Sequence, residues 1–230
     1  MRLAFLSPLP PAATGVADYS AELLSLLAGG AVGLGAGQRA HGASPEVSRA
    51  STSLKILVLG GTGLIGPPMV EHAIARGHES TLFNRGKTNT HLFPDLEKLK
   101  GDRNEDLASL EAAVVAGRRW DAVVDNTASI PRWVTASANL LADAADFYLY
   151  TSSISAYADS SKPGADETAP VGTITPEEEA KVLTNKDITG ENYGALKARC
   201  EEEARKVFGD DRTCVVRPGL IVGPGDYSDR

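Results

Sequence analysis

The sequence lacks the features that mark several protein classes. Its 230 residues contain two cysteines, Cys200 and Cys214, and their spacing matches no C-x-x-C motif. Neither a disulfide framework nor a zinc site built on paired cysteines is expected, and we predict two buried free thiols. The four histidines do not pair at i, i+4 spacing, so the sequence predicts no metal site.

Long apolar runs and an excess of positive charge are missing as well. The sequence contains no run of 18 apolar residues, which argues against a transmembrane helix. Its net charge is −7, whereas proteins that bind nucleic acid depend on Lys and Arg to neutralise phosphates. We therefore expect neither a membrane nor a nucleic acid as a partner.

Residues 1–53 differ in composition from the rest of the chain. They begin with a strand-like run, Leu3–Leu6, and a cluster of prolines, followed by a predicted helix over Val16–Leu27. This beginning resembles the N-terminus of glycosyltransferases that have two facing Rossmann-like domains, but nothing later in the chain continues that likeness. Residues 28–53 are rich in Gly, Ala and Ser and are typical of a linker. We predict that residues 1–53 form a poorly structured extension.

Part of this extension also resembles an export signal. Residues 23–43 combine an apolar run with small residues, but the basic segment that should precede them is absent. The sequence therefore favours a cytoplasmic protein, with export through a degenerate signal as the alternative.

From Leu54 onward, short apolar runs alternate with longer amphipathic segments. Strands are predicted over Leu54–Leu59, Ser80–Phe83, Leu96–Lys100, Asp121–Asn126, Phe147–Ser152 and Thr213–Arg217. Helices are predicted over Leu64–Arg76, Asp106–Ala116, Trp133–Ala145 and Glu191–Phe208. This alternation implies right-handed crossovers, and hence an α/β fold of the Rossmann kind, a doubly wound parallel sheet with helices on both faces.

Glycines follow the first of these strands with the spacing of a nucleotide-binding loop. Gly60 allows a tight turn, Gly63 allows the backbone to approach a pyrophosphate, and Gly66 allows the next helix to pack closely. The N-terminus of that helix would direct free N–H groups at the anion. The cofactor-binding residues predicted here are Gly60, Thr62, Gly63, Leu64, Ile65 and Gly66.

The end of the second predicted strand bears on the choice of cofactor. NAD enzymes usually have an acidic residue there, which binds the ribose hydroxyls. This sequence has Asn84 and Arg85 instead, and Arg85 could pair with a 2′-phosphate. The sequence favours NADP, with NAD as the alternative. Further cofactor contacts are predicted after the third and fourth strands, at Asp102, Arg103, Asn126, Thr127 and Ala128.

A second group of residues indicates proton-transfer chemistry. Tyr193 and Lys197 form a Y-x-x-x-K motif, whose members lie on one face of a helix. A neighbouring ammonium would lower the pKa of the phenol, which a general acid or base at neutral pH requires. Upstream, the segment Thr151–Tyr157 (TSSISAY) ends the fifth predicted strand and supplies hydroxyl groups.

Together these motifs resemble the extended short-chain dehydrogenases/reductases, the NAD-dependent epimerase/dehydratase group, over Leu54–Arg230. The resemblance includes Arg217-Pro218-Gly219 and Gly223-Pro224-Gly225 near the end. The resemblance implies the site roles that follow: Ser153 as the catalytic serine with Ser152 as the alternative, Tyr193 as general acid/base, Lys197 tuning Tyr193 and holding the ribose, Asp102 contacting adenine, and Pro218 packing near the nicotinamide.

The sequence departs from that family in two respects. The interval between Ser153 and Tyr193 is longer than usual, with an acidic insertion around Asp166–Glu179 that predicts a lid or surface loop. Family members also continue well beyond the Gly-Pro-Gly stretch with a substrate-binding region. Most of that region is missing here, so we expect a truncated chain whose substrate pocket is open on one side.

The resemblance implies an NADP- or NAD-dependent oxidoreductase, epimerase or dehydratase acting on a small-molecule carbonyl or alcohol, with a nucleotide sugar as a candidate substrate. The alternative is a module that binds the dinucleotide without catalysis, which the truncation favours and the complete Ser/Tyr/Lys set disfavours. Family members often pair through helices beside the active site. Here those helices are Trp133–Ala145 and Glu191–Phe208, so a homodimer is also open.

Overall fold

The structure is a computed structural model that describes residues 52–159, 161 and 165–221, together with the strand Arg2–Ala4. Most of the predicted N-terminal extension therefore lies outside the described residues, including the export-signal-like residues 23–43 and nearly all of the glycosyltransferase-like beginning. The Gly223-Pro224-Gly225 stretch lies outside them too.

The described residues form a parallel sheet of seven strands. The strands are β1 (Arg2–Ala4), β2 (Lys55–Leu59), β3 (Glu79–Asn84), β4 (Glu97–Lys100), β5 (Trp120–Asp125), β6 (Ala145–Thr151) and β7 (Thr213–Val216). Their order is β1-β7-β6-β5-β2-β3-β4, and every neighbouring pair is parallel. The chain runs outward from β2 in one direction and then in the other, which confirms the predicted doubly wound arrangement.

Helices cover both faces of this sheet. They are α1 (Gly66–Ala75), α2 (Ala108–Val115), α3 (Pro131–Leu141), α4 (Pro176–Glu179) and α5 (Tyr193–Phe208), with 3₁₀ turns at Ile154–Ala156 and Asn185–Asp187. Alternate residues of the strands bury their side chains in two separate clusters. One lies under α1, and the other lies under α2, α3 and α5. Strands buried on both faces explain the nearly continuous apolar runs in the sequence.

Some boundaries differ from the predicted ones. Helix α3 ends at Leu141 rather than Ala145, because Ala145 already belongs to β6 and the Ala144 carbonyl accepts a hydrogen bond from Trp120 N. Helix α1 starts at Gly66, two residues later than predicted, and has Pro in its first turn. Pro is suited to that turn, whose N–H groups have no partner within the helix.

Arg2–Ala4 (β1) is an edge strand of the sheet and pairs with Cys214–Val216 of β7. The sequence places these residues in an extension outside the domain, close to the strand-like run Leu3–Leu6. The pairing covers an edge of the sheet that would otherwise present unpaired backbone groups.

Both cysteines are buried and free, as predicted. No helix in the described part of the chain has the length and apolar character needed to cross a membrane.

Candidate functional site

The carboxyl ends of β2, β3, β4 and β5 border a single cleft. In doubly wound sheets, ligands bind in the crevice outside these strand ends, where the strand order reverses. The cleft is lined by Gly60, Thr62, Gly63, Phe83, Asn84, Arg85, Gly86, Lys87, Thr88, Gly101, Asp102, Arg103, Thr127, Trp133 and Asn185. Eight of the residues that the sequence predicts as cofactor contacts belong to this lining: Gly60, Thr62, Gly63, Asn84, Arg85, Asp102, Arg103 and Thr127.

The glycine loop has the backbone geometry that a pyrophosphate requires. Gly60 has a φ of +118°, which strongly disfavours a side chain, and a Cβ there would lie 2.7 Å from Thr127 Cγ2. A Cβ on Gly66 would lie 2.4 Å from the carbonyl carbon of Gly61, so only glycine permits α1 to start so close to the loop. By contrast, nothing lies within 4 Å of a Cβ position on Gly63. The loop therefore leaves open space at the residue that should face the anion, and a dinucleotide fits it.

The end of β3 forms the rim of the cleft. Asn84 Oδ1 accepts a hydrogen bond from Gly86 N at 2.9 Å, and Asn84 Nδ2 lies 3.5 Å from the Gly60 carbonyl. Arg85 is exposed at the rim, and Lys87 also lines the cleft. The side chain of Asn84 therefore shapes the turn, while the positive charge of Arg85 faces solvent.

Arg103 is held more tightly than the sequence suggests. Its guanidinium forms a buried ion pair with Asp125 and donates hydrogen bonds to Ser137 Oγ at 2.7 Å and to the Trp133 carbonyl at 3.1 Å. Burial alone would raise the pKa of Asp125, but the positive charge of Arg103 and the hydrogen bonds from Arg103 and Tyr148 together lower that pKa. Arg103 thus lines the cleft while its charge is neutralised by Asp125, and neighbouring Asp102 stays at the surface of the cleft.

The residues after β5 connect the cleft to the catalytic motif. Thr127 N and Ala128 N lie 3.4 Å from Asp125 Oδ1, and Asn126 Oδ1 accepts a hydrogen bond from Thr151 Oγ1 at 2.9 Å. The Ala128 carbonyl accepts hydrogen bonds from Tyr150 and from Lys197. The predicted contacts Asn126, Thr127 and Ala128 therefore form one turn between β5, β6 and α5.

Lys197 lies at the centre of this arrangement. Its Nζ donates to the Ala128 carbonyl at 2.9 Å and to the Thr151 carbonyl at 2.6 Å, and it lies 4.4 Å from the centre of the Tyr150 ring. The residue is 3% exposed. Burial lowers the pKa of Lys197 to about 8, because the carbonyl groups replace only part of the hydration that the ammonium loses.

Helix α5 packs directly on the segment that contains Ser153. A Cβ on Gly194, the residue after Tyr193, would lie 1.9 Å from the Ser155 carbonyl oxygen. The two backbones can approach this closely because Gly194 has no side chain. Ser153 starts the 3₁₀ turn Ile154–Ala156, where its Oγ accepts a hydrogen bond from Ser155 N at 3.1 Å. The three predicted catalytic residues thus lie on two elements in direct backbone contact.

Ser152 occupies a different environment from Ser153. Its Oγ donates to Glu201 Oε1 at 2.5 Å, and Glu201 in turn receives two hydrogen bonds from Arg217, at 2.9 and 2.6 Å. The Glu201 and Arg217 side chains are 2% and 3% exposed. Ser153 is only partly buried, so of these two hydroxyl groups it is the one with access to a ligand. Pro218, the other predicted contact, is buried, and its carbonyl accepts a hydrogen bond from Ile154 N at 3.0 Å.

Sequence analysis missed the two buried acids of this site. Glu201 lies four residues after Lys197, so the spacing Tyr193, Lys197, Glu201 continues one helix face and could have revealed it. Asp125 lies inside the predicted strand Asp121–Asn126, and nothing local indicates that Arg103 is its partner. Across the described ranges, no group of three His, Cys, Asp or Glu residues could hold a metal ion.

Comparison with known proteins bears directly on this site. The NAD dependent epimerase/dehydratase family matches residues 56–230. A 2-alkyl-3-oxoalkanoate reductase of Stenotrophomonas maltophilia is 30% identical over 195 residues, which are 75% of this chain and 52% of the reductase. The chloroplast stem-loop binding protein of 41 kDa b of Arabidopsis thaliana is 35% identical over 66 residues, 29% of this chain and 16% of that protein.

Among solved structures, the Bordetella bronchiseptica enzyme WbmG in complex with NAD and UDP has the same fold. The superposition gives a TM-score of 0.55 at 17% identity and covers 72% of this chain and 53% of WbmG. This chain spans about half the length of WbmG and of the reductase. The family match covers the glycine loop, the cleft and the motif on α5, and the chain therefore belongs to the NAD-dependent epimerase/dehydratase family.

Proposed function

We propose that residues 54–230 form the cofactor-binding and catalytic part of an NAD(P)-dependent oxidoreductase, epimerase or dehydratase that acts on a carbonyl or alcohol. The observation that carries this proposal is the position of Lys197. Its ammonium is held by the Ala128 and Thr151 carbonyls, at the junction of the glycine-loop side and the Ser153 side of the sheet. A lysine that is buried without a partner carboxylate at hydrogen-bonding distance is costly, and such perturbed groups concentrate at functional sites.

In this proposal the chain's own residues move the proton. Tyr193 exchanges a proton with the substrate oxygen, and Ser153 donates a hydrogen bond that orients that oxygen. An ammonium has three N–H groups, so the two carbonyls leave one N–H of Lys197 for the ribose, while its positive charge lowers the pKa of the phenol. The bound dinucleotide supplies the hydride or accepts it.

The choice of cofactor depends on the rim of the cleft. Arg85 and Lys87 are exposed there, and the side chain at the end of β3 is the amide of Asn84 rather than a carboxylate. Positive charge without a competing acid favours a 2′-phosphate, so we propose a preference for NADP, with NAD as the alternative. WbmG binds NAD and UDP, and we propose a nucleotide sugar as the candidate substrate.

Partners and location stay predictions. One relative binds stem-loops, as its name states, whereas the net charge of −7 disfavours a phosphate backbone. We expect the chain to leave the mobility of a stem-loop RNA unchanged. The homodimer through α3 and α5, the cytoplasmic location and the poorly structured character of the extension, residues 1–53, are predictions too.

The proposal is tested by titrating the chain with NADPH and NADH and then adding a panel of carbonyl substrates, including 4-keto nucleotide sugars. Saturable binding followed by loss of absorbance at the reduced nicotinamide band is the expected result. Binding without turnover of any substrate would favour the alternative, a dinucleotide-binding module without catalysis. An absence of binding would refute both.

A further inference from the structure

The long interval between Ser153 and Tyr193 reaches the nucleotide cleft at one point. Asn185 lines the cleft together with Asp102, Arg103 and Trp133, although it lies in the long interval between Ser153 and Tyr193. We propose that Asn185 contacts the adenosine half of the dinucleotide and that Arg132 holds it in place. The inference rests on the proposed function, and it assigns to the interval between Ser153 and Tyr193 a binding role beyond that of a surface loop.

The location of Asn185 in the cleft indicates which half of the dinucleotide it would contact. The glycine loop at the end of β2 receives the pyrophosphate, and the residues at the end of β3 meet the adenosine ribose. The base then lies beyond β3, toward the loop Gly101–Arg103 that follows β4. Asn185 lies on this side of the cleft, and its amide can both donate and accept a hydrogen bond.

Residues 182–187, here called the cleft wall, are firmly attached to the rest of the domain. Val182 is 4% exposed and packs in a cluster with Ile130, Trp133 and Leu196. Leu196 is next to Lys197, and Ile130 immediately precedes α3. Burying an aliphatic side chain in such a cluster stabilises the attachment of the wall to the domain.

The wall also has a defined local structure. Thr184 caps the 3₁₀ turn, and Asp187 Oδ2 accepts hydrogen bonds from Leu183 N and Thr184 N at 3.0 and 2.8 Å. These bonds lower the pKa of Asp187, with the backbone N–H of Thr184 as the largest cause. The turn that presents Asn185 therefore has a fixed conformation.

Arg132 connects the wall to the loop that follows β4. Its guanidinium donates to the Leu183 carbonyl and, at 2.6 Å, to Asn104 Oδ1. Asn104 follows Arg103 in the loop after β4, and it also accepts a hydrogen bond from Trp133 Nε1 at 3.0 Å. One side chain thus joins the wall to the loop that receives the base, which makes Arg132 a positioning residue.

The test measures affinity for fragments of the dinucleotide with the full chain. Trp133 lines the cleft while Trp120 is buried at the other end of the sheet, so quenching of Trp fluorescence reports binding. We expect Asn185→Ala to weaken 2′,5′-ADP and NADP by about three- to tenfold, the effect of one neutral hydrogen bond. Nicotinamide mononucleotide should bind equally to wild type and variant.

Arg132→Ala should weaken the same two ligands and leave the nicotinamide fragment unchanged. It should also remove the protection that NADP gives against trypsin at Lys181 and Lys186, which flank or lie in the wall. Arg119→Ala is the matched control, because exposed Arg119 also donates to a backbone carbonyl and a side chain, those of Asp143 and Asp146, at the other end of the sheet. Asn139→Ala, at an exposed position of α3, controls for the loss of an amide side chain.

The outcomes separate the two proposals. In one outcome, wild type binds NADP and both Asn185→Ala and Arg132→Ala match their controls. That result would overturn the proposed role of the cleft wall and leave the proposed function intact. Wild type that binds neither dinucleotide nor fragment would overturn the proposed function and the wall together. Loss of nicotinamide mononucleotide binding in Asn185→Ala would also contradict the assignment to the adenosine half.

Discussion

The glycine loop and the surroundings of Lys197 lie at the same edge of one sheet, but they differ in the side chains that they require. In the proposed function, residues 60–66 bind the dinucleotide through backbone groups and leave space for it, as the open space at the Cβ position of Gly63 illustrates. The catalytic motif depends on buried side chains instead, because Lys197 is held by carbonyls and its helix neighbour Glu201 by Ser152 and Arg217. The first region needs the absence of side chains, and the second needs each partner to be present.

This difference predicts different responses to substitution. Changes in the catalytic region should leave buried charges or carbonyls without partners, and so should cost stability as well as activity. Changes at the rim of the nucleotide cleft should alter affinity with little effect on stability, because those groups face solvent.

The largest expected effect follows from removing Glu201. Glu201→Ala leaves the Arg217 guanidinium buried without its carboxylate, and loss of one partner of a buried pair costs about 3–5 kcal/mol. We expect the urea midpoint to fall sharply. Its neighbour Glu202, 55% exposed and paired with Arg199, is the control; Glu202→Ala should cost roughly 0–1 kcal/mol. Equal midpoints for the two variants would contradict the account of the catalytic region.

The next largest effect is expected from disturbing the contact between α5 and the Ser153 turn. Gly194→Ala inserts a methyl group into a backbone contact, and such overpacking costs about 1–3 kcal/mol. Since the displaced element contains Ser153 or Tyr193, we expect turnover to fall while dinucleotide affinity changes little.

Gly190→Ala is the matched control, because nothing lies within 4 Å of the Cβ position at Gly190. Kinetics and binding should both match wild type in that variant. A Gly194→Ala enzyme that retained wild-type kcat would show that the close contact does not position the catalytic residues.

The same two regions explain what the sequence could predict. The glycine loop is local, so spacing alone indicates Gly60, Gly63 and Gly66, and the helical spacing of Tyr193 and Lys197 is equally local. The sheet follows from alternating strands and helices. Burial of Arg103 against Asp125 instead joins residues that lie far apart in the sequence, as does the contact between Gly194 and Ser155. No local pattern encodes such pairs.

At the rim of the cleft, the expected effect is on specificity. Arg85→Ala removes one charge-assisted hydrogen bond to a 2′-phosphate, worth about 1.5–3 kcal/mol, so NADP should bind roughly tenfold or more weakly. NAD affinity, measured in the same titration, is the internal control and should stay nearly constant, as should the urea midpoint. If the affinities for both cofactors fall equally, Arg85 does not bind the 2′-phosphate.

The smallest effect at neutral pH concerns Lys197. Burial lowers its pKa to about 8, so the ammonium is present below that pH and is lost as pH rises through it. Tyr193 then loses the neighbouring positive charge. We expect kcat/KM for carbonyl reduction, which reports the free enzyme, to fall to half near pH 8. A profile level to pH 10 would be inconsistent with this role.

The central claim is that this cleft binds a dinucleotide and that Tyr193 acts as acid and base on the substrate oxygen. It is tested most directly by Tyr193→Phe. Only a hydroxyl is removed, so dinucleotide affinity should match that of wild type. Turnover should fall by about a hundredfold or more, the usual contribution of general acid–base catalysis. The measurement pairs a fluorescence titration with single-turnover hydride transfer. A Tyr193→Phe variant that binds the dinucleotide and turns over substrate at the wild-type rate would contradict the account.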